Sequence, residues 1–333
     1  MRASGWRFFL RRHAFASTLV VLSLLNLWYF GFFDFCRQTS FDKFQWGDPD
    51  VDVRRQVILQ MTGKEPEAPK INVHPLFDSI YEPSCVDQKL SIKNSVLIIV
   101  KTAPHRLQHR EAIRETWGRV KEMSGFKIRT VFCMGQIESY SDELSKEHDI
   151  YDDLLVNNFV DQYYNNTFKM VGALHYSKNY CQIEVPFTLL IDDDYYLSPP
   201  NLINELKKHI PSERLYYGWK FDSSPFRSGF SKHAISLEDY PYSRYPAYIS
   251  AGAILLTSQS TSEFYYAIEY VKFFKFDDVY LGIIAYILGI NPTHQPKFGF
   301  WASDGKYDDF KSTILAHGFE PYLLKQRWTE QYS

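Results

Sequence analysis

The chain has 333 residues, 57 of them aromatic (7 Trp, 24 Tyr, 26 Phe), with 37 basic and 39 acidic side chains and a net charge of −2. At 45% hydrophobic and 23% charged residues it has the make-up of a globular protein. That excludes a collagen, a disordered acidic tail and a nucleic-acid binder working by bulk charge. Its four cysteines are too few for a disulfide scaffold.

Arg2, Arg7, Arg11 and Arg12 precede a mostly apolar run over residues 14–33, with Trp28 and Tyr29 near its far end and Asp34 closing it. Twenty residues at about 1.5 Å each match a hydrocarbon core of about 30 Å. The pattern predicts a transmembrane signal-anchor at 14–33 behind a cytoplasmic tail, 1–13. The arginines place everything after Asp34 on the lumenal side. Residues 34–90 hold 5 of the 16 prolines and little core-forming period. They read as a stem, with 71–81 the part best able to pack against the domain downstream.

From residue 91 to 333 strand and helix patterns alternate. The short apolar runs 95–101 (SVLIIVK), 129–134 (RTVFCM) and 185–191 (VPFTLLI) read as buried strands, with a short one within 151–161 and further strands at 215–219 and 248–257. Helical composition or spacing marks 109–117, 167–179, 199–209 and 278–288. The alternation predicts an α/β domain with a largely parallel sheet.

The sharpest chemical feature is Asp192-Asp193-Asp194, directly after a predicted buried strand. Ligands of open α/β sheets bind at that end. Three adjacent carboxylates repel one another unless a hard cation such as Mg²⁺ or Mn²⁺ joins them; otherwise they form a solvated acidic turn. A second pair, Asp277-Asp278, opens the apolar helix, where carboxylates suit the positive end of the dipole; either serves as an N-terminal cap or as a general base kept ionised there. Arg110 and Arg114 share a helix face, either solvated or turned to an anion. Asn165-Asn166-Thr167 is an N-glycosylation sequon on the lumenal side. Cys85, Cys133 and Cys181 are available for disulfides in an oxidising lumen, although Cys133, within a strand, reads equally as a buried thiol.

Six motifs in order resemble the β-1,3-glycosyltransferase family that includes β-1,3-galactosyltransferases and β-1,3-N-acetylglucosaminyltransferases. They are RxAIRxTWG at 110–118, DxYxNxTxK at 161–169, DDD at 192–194, a YPxYxSGG-like stretch at 245–252, DDVYxG at 277–282 and His-Gly-Phe at 317–319. The run FKFDDVYLGI is most similar to the brainiac branch, which acts on glycolipid cores. The resemblance implies a Rossmann-like GT-A domain behind the transmembrane helix: a Golgi type II membrane enzyme. It would move galactose or an N-acetylhexosamine from a UDP-sugar, with inversion, to the 3-hydroxyl of a glycolipid or glycoprotein acceptor, with Mn²⁺ as cofactor.

By motif matching, Asp194 and His317 hold the metal. Arg110, Arg114, Asp192, Asp193 and Gly252 belong to the donor pocket, and Asp278, with Asp277 beside it, is the base. Trp219, Tyr245, Tyr248 and Trp301 are candidates to stack on acceptor sugar rings, with Trp328 a further aromatic of this kind; each is equally at home in a core. Departures are Ile283-Ile284 where many relatives carry a Cys, Ala251 for a glycine, and Ile191 where Lys is common. A different class, an inactive glycan-binding or chaperone-like homologue, would have no chemical need for Asp194, Asp278 and His317 together.

Overall fold

The computed structural model describes residues 3–72, 78–84, 94–179, 185–301 and 311–332, with the side chains of 3–12 and of Tyr163 left out. Helix α1 (Ala3–Tyr29) and α2 (Phe32–Cys36) open the chain, followed by α3 (Val53–Met61) and β1 (Ser79–Tyr81). Next come β2 (Ser95–Lys101), α4 (Leu107–Glu115), β3 (Glu122–Met123), β4 (Phe126–Gln136), α5 (Ser141–Tyr151), β5 (Leu154–Val160) and α6 (Asn166–Asn179). Then come β6 (Phe187–Asp192), β7 (Tyr195–Leu197), α7 (Pro199–Leu206), β8 (Tyr216–Phe221), β9 (Tyr248–Thr257), α8 (Ser258–Ile268) and α9 (Asp277–Leu288). Strands β10 (Thr293–His294), β11 (Phe298–Gly299) and β12 (Leu315–His317) and helix α10 (Pro321–Tyr332) complete the order. They fold as two compact units, a larger one of 46–221 and 246–333 and a smaller one of 1–45 and 222–245.

The larger unit is built on one mixed sheet in the order β1-β5-β4-β2-β6-β9-β8-β10, with β3 on β4. Strands β5, β4, β2 and β6 run parallel; β9 is antiparallel to β6 and to β8. Every residue of β2 is buried, because helices cover both faces. Val96, Ile98 and Val100 share a core with Ala112, Ile113 and Trp117 from the α4 side. The intervening Leu97 and Ile99 belong to the opposite face, the side packed by α6. A sheet buried on both faces needs apolar residues at consecutive positions, which is why its strands read as unbroken runs. A second sheet, β11-β12-β7, pairs His317 with Tyr195 just beyond the Asp triplet.

Two expectations for the first 90 residues change. Helix α1 ends at Tyr29, and Gly31 takes a left-handed turn (φ 74°) before α2. A side chain at position 31 would meet the backbone oxygen of Arg227 at 2.4 Å, so the turn is built into the smaller unit. The apolar part of α1, from residue 14 to 29, therefore covers only about 24 Å of the roughly 30 Å required. Among the described residues no helix is long and apolar enough to cross a membrane, which corrects the span expected at 14–33. In the smaller unit, Arg227 donates to the carbonyls of Ile235, Ser236, Tyr240 and Tyr242, and Tyr240 is fully buried.

The second change concerns the stem. Helix α3 lies against α8 with Val53 and Val57 buried. Arg54 donates to Leu288 O, at the end of α9, from Nη2 at 2.6 Å and Nε at 3.1 Å. Asn72 donates to Ile268 O and Val271 O. Residues 46–72 are thus part of the larger unit rather than a spacer; 73–77 and 85–90 lie outside the described residues. A chain starting at Trp46 is expected to outlast one starting at Leu90 in thermal and urea unfolding. Burying each valine contributes about 1.5–3 kcal/mol, a large share of the 5–15 kcal/mol typical of a folded protein. Equal melting temperatures would show α3 to be dispensable.

Candidate active site

Chain order along the sheet reverses beside β2: β4 and β5 lie to one side of it and β6 to the other. The crevice of a doubly wound sheet opens at such a point, outside the carboxyl ends of the strands. Here Lys101, the last residue of β2, is paired in register with Asp192, the last of β6. Lys101 Nζ lies 2.9 Å from Asp192 Oδ1 and 3.2 Å from Asp277 Oδ2. Burial would push this ammonium toward neutrality, but the two carboxylates outweigh it and hold its pKa well above the ordinary value. One lysine therefore joins the Asp triplet to the Asp pair that opens α9. Its signal in the sequence is a single charge at the end of the apolar run SVLIIVK.

The three aspartates of the triplet have different surroundings. Asp192 is half-buried; burial, with Asp194 and Asp277 nearby, lifts its pKa to about 6 despite Lys101. Asp193 turns inward, 5% exposed, and accepts from Thr102 Oγ1 and from Arg106 Nε at 2.8 and 3.0 Å. It anchors the 102–106 turn rather than facing a donor. That turn is braced from behind: Lys169 Nζ donates to Thr102 O and pairs with Asp161, which also accepts from Gly135 N. The Asp161-to-Lys169 motif is thus a buttress for the triplet.

Asp194 meets His317, with Oδ2 3.2 Å from Nε2, while its Oδ1 is buried and has no hydrogen-bond partner among the described residues. Burial pushes Asp194 up, but His317 and the charge of Arg106 bring it below its usual value; the bond to Asp194 correspondingly raises His317. His317 Nδ1 is 2.9 Å from Phe300 O, an acceptor only, so Nδ1 carries a proton; the bond from Nε2 to Asp194 is then made by the imidazolium, and loss of the Nε2 proton frees a lone pair beside that carboxylate. An orphaned carboxylate oxygen beside an oriented imidazole fits a hard divalent cation that takes its other ligands from phosphate and water. Among the described residues no three such side chains converge into a closed metal cage. The electrostatics agree. Among the described residues, Asp192, Asp193, Asp194, Asp277 and Asp278 are matched by two permanent cations, Lys101 and Arg106, so an anionic diphosphate would be repelled without added positive charge.

Asp278 is half-buried in the first turn of α9, and its Oδ1 accepts from Val279 N at 2.8 Å. The expectation that the helix start keeps it ionised needs revision. Burial and the adjacent Asp277 raise its pKa to about 7, beyond what the backbone bond and Lys101 return. A carboxylate poised there takes a proton better than an ordinary one. Asp277 is buried and bound to Lys101, which suits it to placing its neighbour. The glycine of DDVYxG is steric: a Cβ on Gly282 would lie 2.6 Å from Tyr248 Cβ, so its absence lets α9 approach the start of β9.

Other residues expected in the site divide. Arg110 and Arg114 form an interior ion network with Glu147 and Asp153, and Arg110 is 1% exposed. They tie α4 to α5 and to the residue before β5, and Arg110 also donates to Ala103 O and Pro104 O, in the turn that Asp193 anchors. Gly252 lies under Tyr195, whose hydroxyl would be 2.2 Å from an added Cβ, and the Tyr195 ring is 5.1 Å from that of His317. Its visible role is to admit that ring. Phe300 gathers an aromatic row: its ring is 6.4 Å from Trp219, 5.0 Å from Trp301, 4.9 Å from Phe221 and 6.2 Å from His317, while Tyr248 adjoins Phe221. Trp219, Tyr248 and Trp301 are therefore collected on the His317 side, and Phe221 and Phe300, not singled out from the sequence, join them. Tyr245 is instead in the core of the smaller unit, its ring 4.7 Å from Tyr240, and Trp328 is buried beneath Arg119. Asn165 donates to Val160 O at a 3₁₀ turn, while Thr167 is buried and donates to Phe274 O. Cys133 is a free, buried thiol; Cys85 and Cys181 lie outside the described residues.

Comparison with known proteins points the same way. The pattern of the family described as galactosyltransferase matches residues 108–296. A β-1,3-galactosyltransferase of Caenorhabditis elegans, bre-5, is 35% identical over 318 residues, covering 94% of this chain and 92% of that protein. The Drosophila melanogaster β-1,3-galactosyltransferase brn is 38% identical over 240 residues, covering 70% of this chain and 73% of that protein. Among solved structures, the galactosyltransferase LgtC with donor and acceptor sugar analogues overlaps 70% of this chain and 94% of its own, at 10% identity and a TM-score of 0.38, too distant to bear on the site. On the family match and the two relatives, the chain belongs to the galactosyltransferase family and is a hexosyltransferase.

Proposed function

We propose that this hexosyltransferase moves galactose or an N-acetylhexosamine from a UDP-sugar to the 3-hydroxyl of a glycolipid or glycoprotein glycan, with inversion and with Mn²⁺ as cofactor. The observation that carries the reading is the double ion pair of Lys101, which brings the Asp triplet and the Asp277-Asp278 pair to one crevice. Inverting transfer is a single displacement. It needs a base for the incoming hydroxyl and charge neutralisation for the departing diphosphate in the same place. Asp278 is suited to the first task. For the second, Asp194 and His317 would hold the cation, which neutralises the diphosphate when bound. The aromatic row around Phe300 offers flat faces for sugar rings.

Galactose is the first donor to test, since both relatives are named for it. The purified chain is incubated with UDP-galactose, UDP-N-acetylgalactosamine and UDP-N-acetylglucosamine against glycolipid and glycoprotein acceptors, and product linkage and anomer are read by NMR. A β-1,3 product is expected; an α-linked product, or no transfer from any donor, would overturn the reading. The same proposal puts the enzyme on the Golgi membrane with the larger unit lumenal. Attachment would run through the exposed apolar side chains of α1, among them Phe15, Val20, Leu25 and Trp28. Asn165 is then expected to carry a glycan, and a gel mobility unchanged by glycosidase would count against both the modification and the topology.

A further inference from the structure

We propose that Arg106 is a donor-binding residue, its two terminal guanidinium nitrogens gripping the diphosphate of the sugar nucleotide at the mouth of the crevice. The proposal rests on the UDP-sugar reading above. Arg106 ends the turn that leaves β2 at the point where strand order reverses. Its Nε is bound to both oxygens of the buried Asp193, which fixes the direction of the guanidinium. The side chain is nonetheless 31% exposed, and among the described residues nothing accepts a hydrogen bond from Nη1 or Nη2. The neighbouring cations differ. Lys101 is buried between two carboxylates, and Arg110 and Arg114 are held by Glu147 and Asp153.

A planar fork with two outward N–H groups is shaped for phosphate oxygens, which a lysine meets only as a point charge. Helix α4 begins at the next residue, so the positive end of its dipole lies on the same side. The charge of Arg106 also helps to lower the pKa of Asp194, the carboxylate expected to hold the metal. Asp193 then has a use that the motif alone did not show: it aims Arg106.

Calorimetry on the full chain with Mn²⁺, comparing UDP with uridine, tests this. Arg106→Gln can still donate to Asp193 but has no charge and no fork. It is expected to weaken UDP about tenfold to a hundredfold, the range of a charge-assisted hydrogen bond, and to leave uridine unchanged; Arg106→Lys should recover part of the loss. Thr102→Val removes the other anchor of Asp193 and controls for a purely structural effect, so UDP should stay within about threefold there. Equal loss of UDP and uridine in Arg106→Gln, a loss in Thr102→Val matching it, or unchanged UDP affinity would each overturn the assignment. A wild-type chain that binds no UDP would overturn the donor reading itself, and with it this proposal.

Discussion

Asp278→Asn is expected to lower kcat by about 10²–10⁴-fold, the usual worth of a general base, with UDP affinity and melting temperature little changed. Asparagine keeps the shape and can still accept from Val279 N, so that contact in the first turn of α9 is kept, but it cannot take a proton. The wild-type rate should also report the ionisation. With the pKa of Asp278 raised to about 7, the acid form is protonated and inactive at low pH. The pH profile of kcat/KM, which reports the free enzyme, should therefore rise through about 7, losing about tenfold for each unit below it. The asparagine variant should lack that limb. Asp277→Asn should do less damage, since Asp277 faces Lys101. Should Asp277→Asn be dead while Asp278→Asn keeps more than about a tenth of the rate, below the usual effect of losing a base, the roles are exchanged. If both work, the pair is only a helix start.

Removing the divalent cation should abolish transfer, and Mn²⁺ should restore it. Asp194→Ala removes the carboxylate whose Oδ1 has no partner among the described residues, and with it a proposed metal ligand and several kcal/mol of charge stabilisation. A fall in kcat/KM of roughly 10³-fold is the expected result, with weaker UDP binding at any Mn²⁺ concentration. The same variant has a readout independent of turnover. His317 is raised chiefly by its bond to Asp194, so in the metal-free alanine variant its NMR titration should move toward lower pH. Full activity in excess chelator would refute the metal assignment, and an unmoved His317 titration would refute the pairing.

Much of the larger unit was legible from residue order. Strand 95–101 and strand 248–257 appear where their apolar runs begin and end, because a strand covered on both faces must be apolar throughout. Helix α9 was legible from DVYLGIIAYIL for a related reason, its burial on nearly every side. Helices α5 and α3 were not. SDELSKEHDIY and VRRQVILQM are polar enough to pass for loop and stem, and their helicity depends on partners elsewhere. In α5, Glu147 is buried only because Arg110 and Arg114 reach it.

What the sequence by itself determined is the list of chemical groups and the family: three carboxylates at a strand end, a pair at a helix start, a late histidine, and a pattern shared along the chain. Only the tertiary structure decided which groups meet. It set Lys101 between Asp192 and Asp277, placed His317 opposite Tyr195 and against Asp194, turned Asp193 and the two motif arginines inward, and left Arg106 exposed at the crevice. It also removed Tyr245 from the aromatic row and ended the apolar helix at Tyr29. The physical reason is the same throughout. Composition and spacing determine what a segment can bury or hydrogen-bond, whereas a charge's role depends on which counter-charge lies within about 3 Å of it, and that partner comes from a distant part of the chain.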